Sequence, residues 1–265
     1  MERTLLIAGN WKMHHTPAET EAFLDRFLAD GPVDGCEVVL CPPFTSLSVV
    51  AERWRTLSQE WKDRLGIGAQ NVHWEEKGAF TGEISPRFLQ AWSVEYVIVG
   101  HSERRTWFGE TDETVARKVQ AAVAHGMVPI VCVGEDLAER EAGQTEEKVS
   151  RQVAAAVQHL RAEQAERLVV AYEPIWAIGS GKTPTPEEVG QVLRRIRAVL
   201  QDRFGQTAAD RVRVLYGGSV SAANIGAWVT AAEADGALVG GASLEPTSFR
   251  QLIRQAVEAK KKGSA

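Results

Sequence analysis

Cysteine is scarce in this chain. Its three residues, Cys36, Cys41 and Cys132, are an odd number and too few for a disulfide framework. No run approaches the roughly 18 apolar residues that a membrane-spanning helix needs. Near the start only about four apolar residues follow one another, Leu5 to Ala8, too few for the apolar core of a signal peptide. An excess of positive charge is also missing. Thirty Lys and Arg against 35 Asp and Glu give a formal charge of −5, which leaves no electrostatic footprint for nucleic acid or an anionic membrane. An anionic small molecule would therefore need a locally positive site. No linker rich in Pro, Gly or Ser divides the 265 residues. The expectation is a cytoplasmic protein with one domain over residues 1–265, in which Lys260 to Ala265 form a frayed, solvated end.

What is present is a repeat of short apolar runs. They are Leu5–Ala8, Val38–Leu40, Ile67–Ala69, Tyr96–Val99, Pro129–Val133, Leu168–Ala171, Val212–Leu215 and Ala237–Val239. Each is too short for a helix and lacks strict alternation, as expected of strands buried on both faces. Helical signals fill the gaps. Thr16-Pro17-Ala18-Glu19 and Thr185-Pro186-Glu187-Glu188 each offer a capping Thr, a Pro at the first helical position and a Glu three residues after the cap. Val115, Val119, Ala122 and Val123 share one face between Thr114 and Gly126, and Gln152–Arg161 and Val189–Val199 also read as helices. Eight strands alternating with helices predict an α/β fold of the (β/α)₈ barrel type, for which about 250 residues is usual. The competing doubly wound sheet carries Gly-x-Gly-x-x-Gly after its first strand. Here that strand runs into Gly9-Asn10-Trp11-Lys12 instead.

Barrel sites lie at the C-terminal ends of the strands. In order, those ends carry Asn10 and Lys12, then His101, Glu173, Tyr216-Gly217-Gly218-Ser219 and Gly240-Gly241-Ala242-Ser243. Singly, a strand-end Lys or Glu reads as a structural ion pair and Gly-Gly as a tight turn. Together they read as proton transfer on an anionic substrate. Glycine-rich turns bring backbone N–H groups close to a phosphate. A carboxylate can take a proton from carbon when a neighbouring carbonyl acidifies it. Lys12, Asn10 and His101 are donors for the negative charge that then grows on that carbonyl oxygen.

The same residues carry a resemblance. Gly9-Asn10-Trp11-Lys12-Met13, Gln70-Asn71-Val72, Gly78 to Glu83, Gly100-His101-Ser102-Glu103-Arg104-Arg105, Cys132 to Glu135, Ala171 to Gly179, Tyr216 to Ser219 and Val239 to Ala242 resemble the triosephosphate isomerase family along nearly the whole chain. The resemblance implies interconversion of dihydroxyacetone phosphate and glyceraldehyde 3-phosphate through an enediolate, in glycolysis and gluconeogenesis. It implies Glu173 as the base, a neutral His101 polarising the carbonyl, Lys12 and Asn10 as further donors, and Glu103 beside Lys12. Gly179, Ser219, Gly240 and Gly241 would bind the phosphate. Pro174, Ile175, Trp176, Ala177, Ile178, Gly179, Ser180, Gly181, Lys182, Thr183 and Pro184 would form a lid, with Tyr216, Glu135 and Ser102 as its latch. A loop containing Gln70, Asn71, Phe80, Thr81, Gly82 and Glu83 would dock into a second copy to make a homodimer. No metal or organic cofactor is implied, because acid, base and oxyanion donors are all side chains. Ser180, Pro184 and His14-His15 depart from the commoner family pattern.

Other motifs are weaker. Gly179-Ser180-Gly181-Lys182-Thr183 resembles the end of a P-loop, but Trp176 stands where the first Gly belongs. His101-Ser102-Glu103 contains His-x-Glu without the Cys-x-x-Cys of a zinc deaminase. Cys132 reads as a buried thiol rather than a nucleophile, and Trp54, Trp61, Trp92, Trp107 and Trp228 as packing residues. A Schiff-base aldolase on this barrel would need a strand-end Lys where Glu173 stands. A scaffolding protein would have no need of Glu173, His101 and Lys12 together.

Overall fold

The computed structural model describes residues 3–178 and 180–263. Its centre is a sheet of eight strands: β1 (Leu5–Asn10), β2 (Cys36–Cys41), β3 (Leu65–Ala69), β4 (Tyr96–Val99), β5 (Val128–Val133), β6 (Val169–Tyr172), β7 (Arg213–Tyr216) and β8 (Gly236–Val239). Neighbours pair in sequence order, and β1 also pairs with β8, which closes the sheet into a barrel. The pairings are parallel throughout. This is the expected (β/α)₈ architecture.

The apolar runs lack alternation because both strand faces are covered. Leu6, Ala8, Val39, Cys41, Ile98, Ile130, Cys132, Ala171, Leu215 and Leu238 belong to a cluster built from strand residues alone, the filling of the barrel. Their neighbours Leu5, Ile7, Val38, Leu40, Val97 and Val131 belong to a larger cluster that includes helix residues such as Phe23, Val119, Leu193 and Phe249. One strand thus feeds two cores.

Helix starts follow their local chemistry. Thr16 and Thr185 each make a capping box, with Glu19 and Glu188, ahead of the helices Pro17–Phe27 and Pro186–Phe204. The helix expected near Thr114 runs Asp112–Ala124, capped by Thr111, and Gly126 follows it at φ +78°. The segment expected over Gln152–Arg161 is helical over Thr145–Val157, and a short 3₁₀ turn occupies Ala162–Arg167. Lys260 to Gly263, expected to begin a frayed end, continue the last helix, Pro246–Gly263, whose buried Phe249, Leu252, Ile253 and Ala256 hold it to the barrel, and Ser264 and Ala265 lie outside the described residues. Lysines at its C-terminal end also suit the helix dipole. Trp107 is 76% exposed rather than packed, whereas Trp228 is buried and Trp54, Trp61 and Trp92 lie against the core.

The strand ends leave little room for side chains. A Cβ on Gly134, just past β5, would stand 1.8 Å from the carbonyl oxygen of Glu173. That approach lets the Glu173 N–H donate to the Val133 carbonyl at 2.8 Å. Gly134→Ala should lower stability by roughly 1–3 kcal/mol through overpacking and should displace Glu173. Gly190→Ala, where the nearest obstacle is the movable Arg194 side chain at 3.2 Å, should be neutral or stabilising. Urea unfolding midpoints of the two variants check the contrast.

Candidate active site

At the end of β1 the chain takes an unusual path. Lys12 has φ +51°, a left-handed conformation that is strained for a side-chain-bearing residue. Two contacts hold it there. The Lys12 N–H donates to Asn10 Oδ1 at 3.0 Å, and Gln70 Nε2 donates to the Lys12 carbonyl at 2.8 Å and to the Cys41 carbonyl at 2.9 Å. The Lys12 ammonium lies 2.6 Å from Glu103 Oε1.

At the end of β4, Gly100 turns at φ +74° and His101 caps the helix Ser102–Trp107. His101 Nδ1 accepts from the Glu103 N–H at 3.2 Å. The ring proton therefore sits on Nε2, which is 3.0 Å from Glu173 Oε1. The other oxygen, Oε2, accepts from the Ser102 N–H at 3.1 Å. Glu173 is 3% exposed. Burial alone would raise its carboxyl, but His101, the Ser102 N–H and Lys12 outweigh it and hold the group below the ordinary carboxylate range. Burial alone would lower His101. The adjoining Glu173 carboxylate opposes this more strongly, so the imidazole titrates above its ordinary range while the two touch. Burial pushes the Cys132 thiol well up, and the Glu173 charge adds to the effect. A thiol so placed is a poor nucleophile.

Asn10, Lys12, His101 and Glu173 line a pocket of about 290 Å³ together with Ile178, Gly217 to Val220, Leu238 and Gly240 to Ala242. Lys12 is the one cation among these lining residues. Gly218 cannot carry a side chain, since a Cβ would fall 2.1 Å from the Tyr216 hydroxyl oxygen. Gly179 lies outside the described residues. The pocket thus brings together Asn10, Lys12, His101, Glu173, Ser219, Gly240 and Gly241, with Glu103 behind Lys12. Among the described residues no three His, Cys, Asp or Glu side chains gather as a metal set.

The other predicted residues fall around this pocket. Pro174 enters a short 3₁₀ turn, Ile175–Ala177, and Ser180 to Thr183 are exposed, whereas Pro184 is buried. Of the latch residues, Ser102 contacts Glu173, as above. Glu135 Oε1 accepts from Trp176 Nε1 at 2.8 Å and from the Tyr172 hydroxyl at 3.1 Å. The Tyr216 hydroxyl is buried with no hydrogen-bond partner among the described residues. The 70–83 loop divides in two. Gln70 and Asn71 face inward, whereas Phe80, Thr81, Gly82 and Glu83 form an exposed tip on which Phe80 packs against His73 at 4.5 Å.

Two supporting residues, Glu110 and Lys118, carried no expectation, and Gln70, expected in the docking loop, also braces Lys12. Buried Glu110 accepts from the Gly100 N–H at 2.8 Å, from Arg104 at 2.8 Å and from Lys118 at 2.8 Å, while Lys118 also donates to Asn71 at 2.9 Å. Burial would raise the Glu110 carboxyl, but Lys118 and its other donors hold it down. A signal existed: Lys118 stands within the apolar stripe formed by Val115, Val119 and Ala122, where a cation needs a buried partner.

A closed parallel barrel that gathers a carboxylate, an imidazole and an ammonium at one pocket with glycine turns has the layout of a barrel enzyme. The comparisons narrow it. The family model described as triosephosphate isomerase matches residues 5–256. A protein from Solibacter usitatus named triosephosphate isomerase is 49% identical over 253 residues, covering 95% of this chain and 99% of that one. Namesakes from Clostridium perfringens and Carboxydothermus hydrogenoformans are each 48% identical, covering 95% and 96% of this chain and 99% and 100% of their own. The chain belongs to the triosephosphate isomerase family.

Removing the pocket's cation should weaken anion binding. Lys12→Ala should lower affinity for glycerol 3-phosphate by at least about ten-fold, since the site loses its charge in a chain of net −5. Lys12→Arg should recover only part, because a planar guanidinium does not match the ammonium's contacts. Calorimetric titration decides it: wild-type affinity in Lys12→Ala would remove Lys12 from the binding site.

Proposed function

We propose that this protein interconverts dihydroxyacetone phosphate and glyceraldehyde 3-phosphate by moving one proton between adjacent carbons. The observation that carries the reading is the convergence of Glu173, His101 and Lys12 on one pocket faced by two glycine turns. The substrate phosphate sits against the backbone N–H groups near Ser219, Gly240 and Gly241. Glu173, ionised at neutral pH, takes the proton from the carbon next to the carbonyl. The carbonyl oxygen becomes an oxyanion as the enediolate forms, and His101 Nε2–H, Lys12 Nζ and Asn10 Nδ2 donate to it. The hydroxyl proton of the enediolate passes from one oxygen to the other through His101 Nε2, Glu173 gives its own proton to the neighbouring carbon, and no atom is gained or lost.

Substrate binding also settles the protonation of His101. When Glu173 leaves the ring for the substrate carbon, the interaction that raises His101 weakens. Burial and the N–H at Nδ1 remain, and both favour the neutral ring. A neutral imidazole donates through Nε2 without losing a full charge to the substrate. The segment from Pro174 to Pro184 serves as a lid that excludes water from the enediolate.

The reaction places the protein in glycolysis and gluconeogenesis, in the cytoplasm. No helix among the described residues is long and apolar enough to cross a membrane. The assembly is a homodimer in which the tip Phe80 to Glu83 enters the partner beside Asn10 and Lys12. Met13 at 94% and Phe80 at 43% exposure are the apolar surface that such docking would cover.

Two experiments test this reading. In a coupled assay with glyceraldehyde 3-phosphate, Glu173→Asp should lose on the order of 10²-fold in kcat, because the carboxylate retreats by about 1 Å. KM should change far less, and near-wild-type kcat would remove Glu173 as the base. Phe80→Asp should yield monomers of very low activity, since it places an unpaired charge in the interface. Sedimentation showing intact dimers, or fully active monomers, would contradict the docking.

A further inference from the structure

Arg140 lies outside the pocket, on the short helix Leu137–Glu141 that Asp136 caps after β5. Its guanidinium stands 4.0 Å over the Trp176 ring. Its Nη2 donates to Glu188 Oε1, and its Nη1 lies 3.9 Å from Glu135 Oε1. These partners sit at opposite ends of one segment. Trp176 belongs to the turn that begins the lid. Glu188 closes the capping box with Thr185, where the chain leaves the lid and enters the helix Pro186–Phe204. A single side chain that is no part of the lid therefore ties the lid's first turn to the helix that follows the lid.

The chemistry of that grip suits arginine. A guanidinium can stack its face on an indole while its edge donates to a carboxylate, whereas an ammonium offers one point charge. Arg140 is 29% exposed, so its contacts are partly shielded from water. The Trp176–Glu135 hydrogen bond acts in the same direction. The Tyr216 hydroxyl, which the lid reading above makes a partner for the closed lid, has no partner among the described residues. Ser180 to Thr183 are exposed and none of them lines the pocket, so the lid stands open, and the contacts at Trp176 favour that position.

Building on the lid reading above, we propose that Arg140 is a positioning residue that stabilises the open lid by clipping Trp176, in the lid's first turn, to Glu188 on the helix that follows the lid. It acts on the equilibrium between open and closed rather than on the reacting atoms. Removing a contact made only in the open state enlarges the closed population. A ligand that selects the closed state then binds more tightly by the same factor.

The test uses full-length protein labelled with 5-fluorotryptophan, the Trp176 line being assigned from its loss in Trp176→Phe. Glycerol 3-phosphate is the probe. Arg140→Gln should bind it roughly three- to ten-fold more tightly, and its unliganded Trp176 line should move toward the ligand-saturated position. Arg140→Lys should fall between Arg140→Gln and wild type. Unchanged or weaker binding, with the other tryptophan lines unmoved, overturns the proposal. If Arg140→Gln disturbs those other lines, Glu188→Gln reads the same ion pair while keeping a capping acceptor. A smaller shift in the same direction supports the clip, and no shift overturns it. A wild-type Trp176 line that ignores glycerol 3-phosphate would instead overturn the lid reading and the clip with it.

Discussion

Parallel strands leave an edge of unpaired N–H and C=O groups unless something covers it or the sheet closes on itself. Here β1 pairs with β8, with Leu6 opposite Gly236 and Gly9 opposite Val239. Closure has two consequences. Both faces of every strand become interior, so the chain needs two apolar layers and one run of residues supplies both. All eight C-terminal ends also emerge on one side. Residues as distant in sequence as Lys12, His101, Glu173 and Gly240 meet at that rim because the strands beneath them cannot slide. Gly236 shows how tightly closure is made: its φ of +142° and a Cβ that would lie 1.9 Å from the Leu6 carbonyl oxygen leave space only for glycine.

On this rim the protein keeps a carboxylate out of water. A buried, unpaired charge is strongly unfavourable. Glu173 is tolerated because His101 Nε2 and the Ser102 N–H meet its two oxygens and Lys12 stands nearby. A second tier holds these groups in turn. Glu103 meets Lys12, and Gln70 secures the strained backbone at Lys12. Glu110, tied to Gly100, Arg104 and Lys118, fixes the turn that presents His101. The buried carboxylate therefore also depends on residues that line no part of the pocket.

Much of this was legible in the chain. Short β-branched runs and the two Thr-Pro-x-Glu starts reveal strands and helices because their causes are local: burial on both faces and satisfaction of the first N–H groups of a helix. The identities at the strand ends are the ground for the proposed chemistry, since few other uses explain a carboxylate, an imidazole, an ammonium and two glycine turns together. Helix ends were less legible. The helix expected to reach Arg161 stops at Val157, and the lysines of the tail stay helical because tertiary packing of Phe249, Leu252 and Ile253 holds the helix beneath them. Trp107, read as a packing residue, is exposed, and nothing in its neighbours along the chain distinguishes it from Trp228.

The chain by itself determined the architecture and the inventory of groups at the strand ends, because periodicity, caps and residue type depend on interactions spanning a few positions. Only the tertiary structure decided which groups touch. It placed Glu173 against His101, seated Lys118 beneath Asn71, and set one guanidinium between Trp176 and Glu188. These are contacts between segments far apart in sequence, and their geometry follows from barrel closure rather than from any local preference of the residues that make them.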